Sequence, residues 1–410
     1  MVRWIIFLLI FGVIDFYAFQ AFKTVARNNY LNILYWVLTL LVIGNFVYHF
    51  YGLNRSDFGT SHGYAFAFLI ALLVPKMIIL VFMFGEDIIR IPQAIYRYFT
   101  EGRSAEGNYM PSRRKFVSQI ALGLAAIPFA SILYGIYRGK YNFKVLKYTL
   151  HYKDLPDAFD GFKLTQISDI HSGSFDNPSK VEYAIDLINE QQSDVILFTG
   201  DMVNNIAEEM VPYKTMFSKL NAKDGLYSVL GNHDYGDYVR WESTEAKAKN
   251  LDDLKTIQKE IGFDLLLNES RFIERNGERI AIVGVENWGA GGFKKAGDLK
   301  KASSNVNAED FKILLSHDPS HWEREVIQDD YHYHLTLSGH THGMQFGIEI
   351  PGWFKWSPVK WRYKYWAGIY EELGQFINVN RGFGYLAFPG RVGIWPEITV
   401  IELKKGEKIA

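Results

Sequence analysis

Five short clusters in the second half of the chain gather side chains that bind hard or borderline cations. They are Asp169-Ile170-His171, Gly200-Asp201, Gly231-Asn232-His233-Asp234, the lone His317, and Gly339-His340-Thr341-His342. Each follows a brief apolar run, at residues 164–168, 195–199, 225–230, 312–315 and 334–337. Runs of that length, bounded by polar or glycine-containing turns, read as buried strands. In open α/β sheets, ligands bind beyond the carboxyl ends of such strands. Five strands that deliver Asp, Asn and His at the same end therefore point to a metal-dependent active centre. Cysteine is absent from all 410 residues, which excludes disulfides, thiolate zinc sites and cysteine nucleophiles. A net charge of −1 leaves no basic field suited to nucleic acid.

The spacings, 32 residues from Asp169 to Asp201 and 31 from Asp201 to Asn232, each fit one βα unit. Together the blocks D-x-H, G-D, G-N-H-D, H and G-H-x-H resemble the calcineurin-like metallophosphoesterases over residues 145–405, and within them the membrane-anchored branch. In that branch G-H-T-H is usually followed by Gly-Gly-Gln, whereas this chain has Gly343-Met344-Gln345. The resemblance implies a phosphoric ester hydrolase with two divalent ions. Asp169, His171, Asp201 and His342 would hold one ion; Asp201, Asn232, His317 and His340 would hold the other. Two ions about 3.5–4 Å apart generate a nucleophile from water and neutralise phosphoryl oxygens. Donors without sulfur suit Mn, Fe, Zn or Ni better than an all-oxygen Mg or Ca site. His233 would face the substrate, with Asp234 orienting it. His332 and His334 read as structural, and His321 as a surface residue.

These residues require an α/β fold. The alternation of strands and helices predicts a β-sandwich flanked by helices, a four-layer α/β/β/α metallophosphoesterase domain over 161–410, entered through a linker and edge strand at 137–160. Residues 145–152 alternate like an edge strand. Asn177-Pro178 opens a helix with Val181, Ala184, Ile185 and Ile188 as its buried stripe, further helices are expected near 211–220 and 241–261, and Asn276-Gly277 turns a hairpin. Residues 351–366 (PGWFKWSPVKWRYKYW) hold four of the ten Trp and four cations without an acid. Aromatic and basic residues mixed in this way suit a membrane headgroup layer, so the stretch reads as a lid beside the metals that admits a lipid-borne phosphate, with Trp353, Lys355 and Trp356 as candidate substrate contacts. Arg381 and Arg391 are further candidates, as bidentate phosphate ligands or as structural ion-pair partners of Glu397.

The first 136 residues are different in kind. Four apolar runs, at 4–22, 31–51, 64–84 and 116–136, each have about the 20 residues that span a bilayer as a helix, and the first hundred residues contain only Asp15, Asp57, Glu86 and Asp87 as acids. Asp15 and Lys76 fall at one depth in two helices of the same direction and are expected to pair. Arg90, Arg97, Arg103, Arg113, Arg114 and Lys115 between the third and fourth runs place that segment in the cytoplasm. The catalytic domain would then lie on the outer, periplasmic face of a bacterial inner membrane. Ser112-Arg113-Arg114-Lys115-Phe116 also resembles a twin-arginine export signal. The function expected is a membrane-anchored phosphoesterase. Its partners would be the lipid bilayer and a phospholipid or lipid-linked phosphate or pyrophosphate, with no nucleic acid. Alternatives are UDP-2,3-diacylglucosamine diphosphatase activity and a non-catalytic membrane scaffold or sensor.

Overall fold

The computed structural model describes residues 2–53, 59–101, 111–350 and 352–407. Asp57, Arg103 and Pro351 lie outside them, as do the side chains of Arg97 and Ser112. The described residues divide into two compact units, one before and one after about residue 136.

The first unit contains α1 (Val2–Val25), α2 (Asn29–Phe50), α3 (Thr60–Glu101) and α4 (Pro111–Tyr137). All four are long and apolar enough to cross a membrane. Leu9, Ile10, Leu40, Leu41, Val81 and Ile127 stand exposed on them, as expected of helices whose solvent is lipid. Asp15 and Lys76 form the expected buried ion pair. Lys76 Nζ also donates to Thr39 Oγ1 at 2.8 Å and the Tyr35 hydroxyl to Asp15 at 3.2 Å, so three helices are tied at one level. One expectation fails: α3 runs on past residue 84 to Glu101 through Pro75 and Pro92. Hydropathy marks only the apolar length. Beyond it, Arg90 pairs with Asp87 one turn back at 2.7 Å, and the helical spacing persists. Arg114, second of the arginine pair read as an export signal, reaches Glu86 at 3.4 Å and Asp87 at 3.2 Å.

The second unit is a sandwich of two six-stranded sheets. The first runs in the order β1 (Lys144–Tyr152), β14 (Glu397–Lys405), β2 (Lys163–Ile167), β3 (Val195–Phe198), β4 (Leu226–Ser228), β5 (Phe263–Leu265). The second is ordered β12 (Gly368–Glu372), β13 (Gln375–Val379), β9 (Leu335–Ser338), β8 (Phe311–Leu315), β7 (Glu278–Gly284), β6 (Glu269–Arg275). Strands β2 to β5 are mutually parallel, and so are β7, β8, β9 and β13. β1 is the edge strand that its alternation predicts. Alternate residues serve different layers, as the pleat requires. Val195 and Leu197 join Ile282, Ile313 and Leu335 between the sheets, whereas Ile196 and Phe198 pack outward beneath α5 (Pro178–Asn189) and α7 (Thr244–Ile261). The α5 stripe is buried at the four positions expected, and the Asn177 side chain caps it by accepting from Lys180 N. A short helix, α6 (Lys214–Phe217), follows a 3-10 turn at Ala207–Tyr213. The hairpin β6–β7 turns at Asn276 and Gly277, both left-handed.

Candidate metal centre

The loops after β2, β3 and β4 in one sheet and after β8 and β9 in the other converge, and side chains from all five meet. The carboxylate of Asp169 and the imidazoles of His171 and His342 form one cluster; those of Asp201, His317 and His340 form a second. In each, one donor atom per residue lies within 4.8 Å of the others. His342 Nε2 is 3.1 Å from Asp169 Oδ1 and 3.0 Å from His171 Nε2. Asp201 Oδ2 is 3.6 Å from His171 Nε2 and 3.1 Å from His317 Nε2, so it stands between the clusters. Asn232 Oδ1 approaches His340 Nδ1 at 2.8 Å. All seven residues expected as ligands therefore face one another.

The backbone that achieves this is unusual. Asp169, His171, Asp201, His340 and His342 all have φ between 48 and 70°, a region that costs a non-glycine residue free energy and persists where the surroundings enforce it. The glycines of the motifs are there for contact. A Cβ on Gly231 would sit 2.2 Å from Asp201 Oδ1, and one on Gly339 2.2 Å from Asp169 Oδ2. The loops interlock through Asp169 N to the Gly200 carbonyl, 2.9 Å, His171 N to the Asp201 carbonyl, 3.1 Å, and Gly339 N to the His317 carbonyl, 2.9 Å.

These donors fit divalent cations. His317 Nδ1 is bonded to the Thr199 carbonyl at 2.7 Å and so carries the proton, which turns the Nε2 lone pair toward the Asp201 carboxylate. A lone pair facing an anion is stable only with a cation or a proton between them. Burial opposes that proton, but the Asp201 charge prevails and pushes His317 up to about 10. Burial would raise the carboxyl groups of Asp169 and Asp201; the imidazoles around them more than reverse this and hold both below the ordinary range. Burial drives His171 well below its usual value and His340 to about 4, which keeps their lone pairs available.

His233 lines the cleft above the clusters, but Asp234 does not orient it as expected. The His233 ring is held by the Asn204 carbonyl, 2.6 Å from Nδ1, and lies 4.5 Å from the ring of Tyr238. Asp234 is fully buried and accepts from the amides of Asp201 (2.9 Å), Met202 (2.8 Å), Val203 (3.4 Å) and Gly231 (2.9 Å). It fastens the Asp201 loop to the Asn232 loop. Burial and the charge of Asp201 outweigh these four donors and push its carboxyl up to about 7.

Neither arginine lines the cleft. Arg381 is buried between Glu397 and Glu349, the structural pairing named as its alternative. Arg391 is fully buried, donates to the carbonyls of Gly384 and Gly382, and packs 3.2 Å from His342 Nδ1. His321 is buried rather than on the surface, bonded to Ser316 Oγ at 2.8 Å and stacked on Trp288, because the turn Ser320–Arg324 folds it inward. The aromatic segment divides. Pro358, Val359, Trp361, Arg362 and Tyr363 wall a cleft of 370 Å³ over the clusters. Trp353 projects outward, and Lys355 donates to the Ala367 carbonyl. Sequence reasoning missed Tyr363, whose hydroxyl is 2.8 Å from His340 Nε2, and Tyr238, which accepts from Asn232 Nδ2 at 2.8 Å. Tyr363 lay inside the stretch singled out, and nothing in its spacing separated it from the other aromatics.

Comparison with known proteins points to one family. Residues 2–140 match the family model of a probable calcineurin-like phosphoesterase transmembrane domain, and residues 162–344 match calcineurin-like phosphoesterase. The uncharacterized metallophosphoesterase YkuE of Bacillus subtilis is 30% identical over 302 residues, 72% of this chain and 98% of that protein. Phosphodiesterase YaeI of Escherichia coli is 28% identical over 72% of this chain and all of its own length. A zebrafish (Danio rerio) transmembrane protein with metallophosphoesterase domain is 27% identical over 67% of this chain and 60% of its own.

Proposed function

The chain belongs to the calcineurin-like metallophosphoesterases and carries their transmembrane domain, and on that premise we propose that it hydrolyses a phosphoester or pyrophosphate bond of a lipid-linked substrate, using two divalent ions, at the outer face of a bacterial inner membrane. The family is metal-dependent, and the protein is a membrane-bound phosphoric ester hydrolase. The finer reading rests on one observation: two ligand clusters with Asp201 between them, under a cleft walled by aromatic and basic residues.

Asp169, His171 and His342, with Asp201, would hold one ion; Asp201, Asn232, His317 and His340 the other. Such ions supply a nucleophile from water at neutral pH and positive charge for the phosphoryl oxygens. The chain's own residues do the rest. Thr199, through its carbonyl, fixes the ring of His317, and Tyr363 that of His340. The Asn204 carbonyl accepts a hydrogen bond from Nδ1–H of His233, which leaves Nε2 for the cleft that the ring lines. As imidazolium, His233 donates from Nε2 to the departing oxygen, and the carbonyl partner stabilises that cation. Trp361 and Val359 supply apolar wall for a hydrocarbon portion of the substrate.

The full chain in nanodiscs tests this. Metal analysis should return two divalent ions per chain, and a chromogenic phosphodiester and a phospholipid should both be hydrolysed, with activity lost to chelator and restored by Mn. Asp201→Asn should remove both metal and activity. A protein that holds no metal and cleaves neither ester would sink the proposal. A compartment-sensitive fusion at the carboxyl end tests sidedness separately, and a cytoplasmic readout would refute the outer-face assignment.

A further inference from the structure

Residues 348–356 carry a hairpin, β10 (Ile348–Ile350) and β11 (Phe354–Trp356), that pairs with neither large sheet. Directly opposed residues of an antiparallel ladder share a face. Ile348 thus stands beside Trp356 and Ile350 beside Phe354, while Glu349 and Lys355 share the other side. The charged side chains reach back to the protein, Glu349 half-buried and Lys355 tied down at its end although the residue stays exposed. Glu349 pairs with buried Arg381, and Lys355 donates to the Ala367 carbonyl and sits 4.3 Å over the Tyr370 ring. The tip of the apolar side faces out: Ile348 is 56% exposed, Ile350 45%, Phe354 47%, and Trp353 on the turn 81%, while Trp356 is half-buried against Trp361.

This reverses the amphipathicity of a hairpin built for water, which buries its apolar face. The reversal is fixed by register. A slip of one residue would turn every side chain over and would pull Glu349 from Arg381, leaving that buried guanidinium with Glu397 alone. The outward apolar face therefore needs an occupant, and the charge around it names one. Residues 352–366 contain four cations and no acid, and Lys360, Arg362 and Lys364 are exposed. Exposed Trp and Phe beside Lys and Arg match the headgroup layer of an anionic bilayer, and the same chain carries four candidate membrane spans that keep a bilayer within reach. We propose that β10–β11 is an interfacial docking hairpin that sets Ile350, Trp353 and Phe354 into the headgroup region of anionic lipid. This deepens the lipid-linked reading and rests on it for its purpose: the tip engages the membrane, while residues 358–363 shape the cleft.

A chain without cysteine makes the test direct. Trp353→Cys or Phe354→Cys, labelled with an environment-sensitive fluorophore in the full chain, is placed in nanodiscs of phosphatidylglycerol and phosphatidylcholine that contain a spin-labelled lipid. Tyr183→Cys on α5, 53% exposed, is the reference. Labels at 353 and 354 should be quenched at least threefold more than at 183, less so in pure phosphatidylcholine, and Ile350→Glu should abolish the difference without lowering the thermal midpoint. Equal quenching at all three positions overturns the proposal. So does a label at 353 shielded from both lipid and aqueous quenchers, which would identify a protein partner or second copy. Because quenching does not depend on turnover, docking without phospholipid hydrolysis would refute the substrate reading and leave the hairpin's role standing.

Discussion

At the scale of single residues, Asp234 shows how a motif position can act on the site without touching substrate. Its two oxygens accept four amides, three from the Asp201 loop and one from Gly231. Asp234→Asn replaces one oxygen by an NH2 that cannot accept, and strands buried donors at about 1–3 kcal/mol each. We expect the metal-free protein to lose stability by that order in a chemical melt, and its metal affinity to drop with it; an unchanged melt would contradict the fastening role. His334 carries a pH consequence. Its Nδ1 accepts from Lys312 N at 3.0 Å, so Nε2 bears the proton given to Asp154 Oδ2 at 2.8 Å. Burial pulls His334 down to about 4, against the opposing charge of Asp154. The native state therefore binds the neutral ring. Its contribution is fully present above the ordinary value near pH 6.5 and is lost as pH falls toward 4. Thermal midpoints measured from pH 7 to 4 should fall across that window, and His334→Gln should flatten the slope.

At the scale of elements, the strands that carry ligands were legible because motif and hydrophobic run coincide. The loop after each parallel strand was expected to present a ligand at the carboxyl end, and the seven candidate residues meet there. What the sequence withheld is long-range. Asp234 and Arg381 find partners 31 to 33 and 16 to 32 residues away, and no local pattern distinguishes an amide acceptor from an orienting group, or a buried arginine from a phosphate clamp. His321 was misread because a five-residue helical turn has too little periodicity to reveal which side is buried. The aromatic stretch divides into an outward tip and a cleft wall, and that division depends on which face of the hairpin Arg381 captures. That division makes Tyr363 the link between wall and metal loop. Tyr363→Phe removes the hydroxyl 2.8 Å from His340 Nε2, and loss of such an outer partner costs about 10- to 100-fold in metal affinity. Calorimetric titration with Mn should show a loss of that size while the metal-free melt stays in place; unchanged affinity would leave Tyr363 as packing only.

At the scale of the whole molecule, two units with separate cores respond to different perturbations. A metal that binds only the native form of the catalytic unit stabilises that form by about 2.7 kcal/mol at 100 times its Kd. Chelation should therefore speed hydrogen exchange in β2, β3, β8 and β9. In the membrane unit Asp15 and Lys76 form a buried pair, which Thr39 and Tyr35 complete. Lys76→Leu removes one buried charge and abandons the other, a loss of about 3–5 kcal/mol for pairs of this kind. Adding Asp15→Leu removes the abandoned charge as well, so the double variant should recover much of that cost. Exchange measured in nanodiscs distinguishes the cases. In Lys76→Leu, α1 and α3 should exchange faster than in the wild type, in the double variant they should return most of the way, and in both the catalytic strands should respond to metal as before. A double variant at least as damaged as Lys76→Leu alone would show that Asp15 and Lys76 do not depend on each other, whatever their proximity.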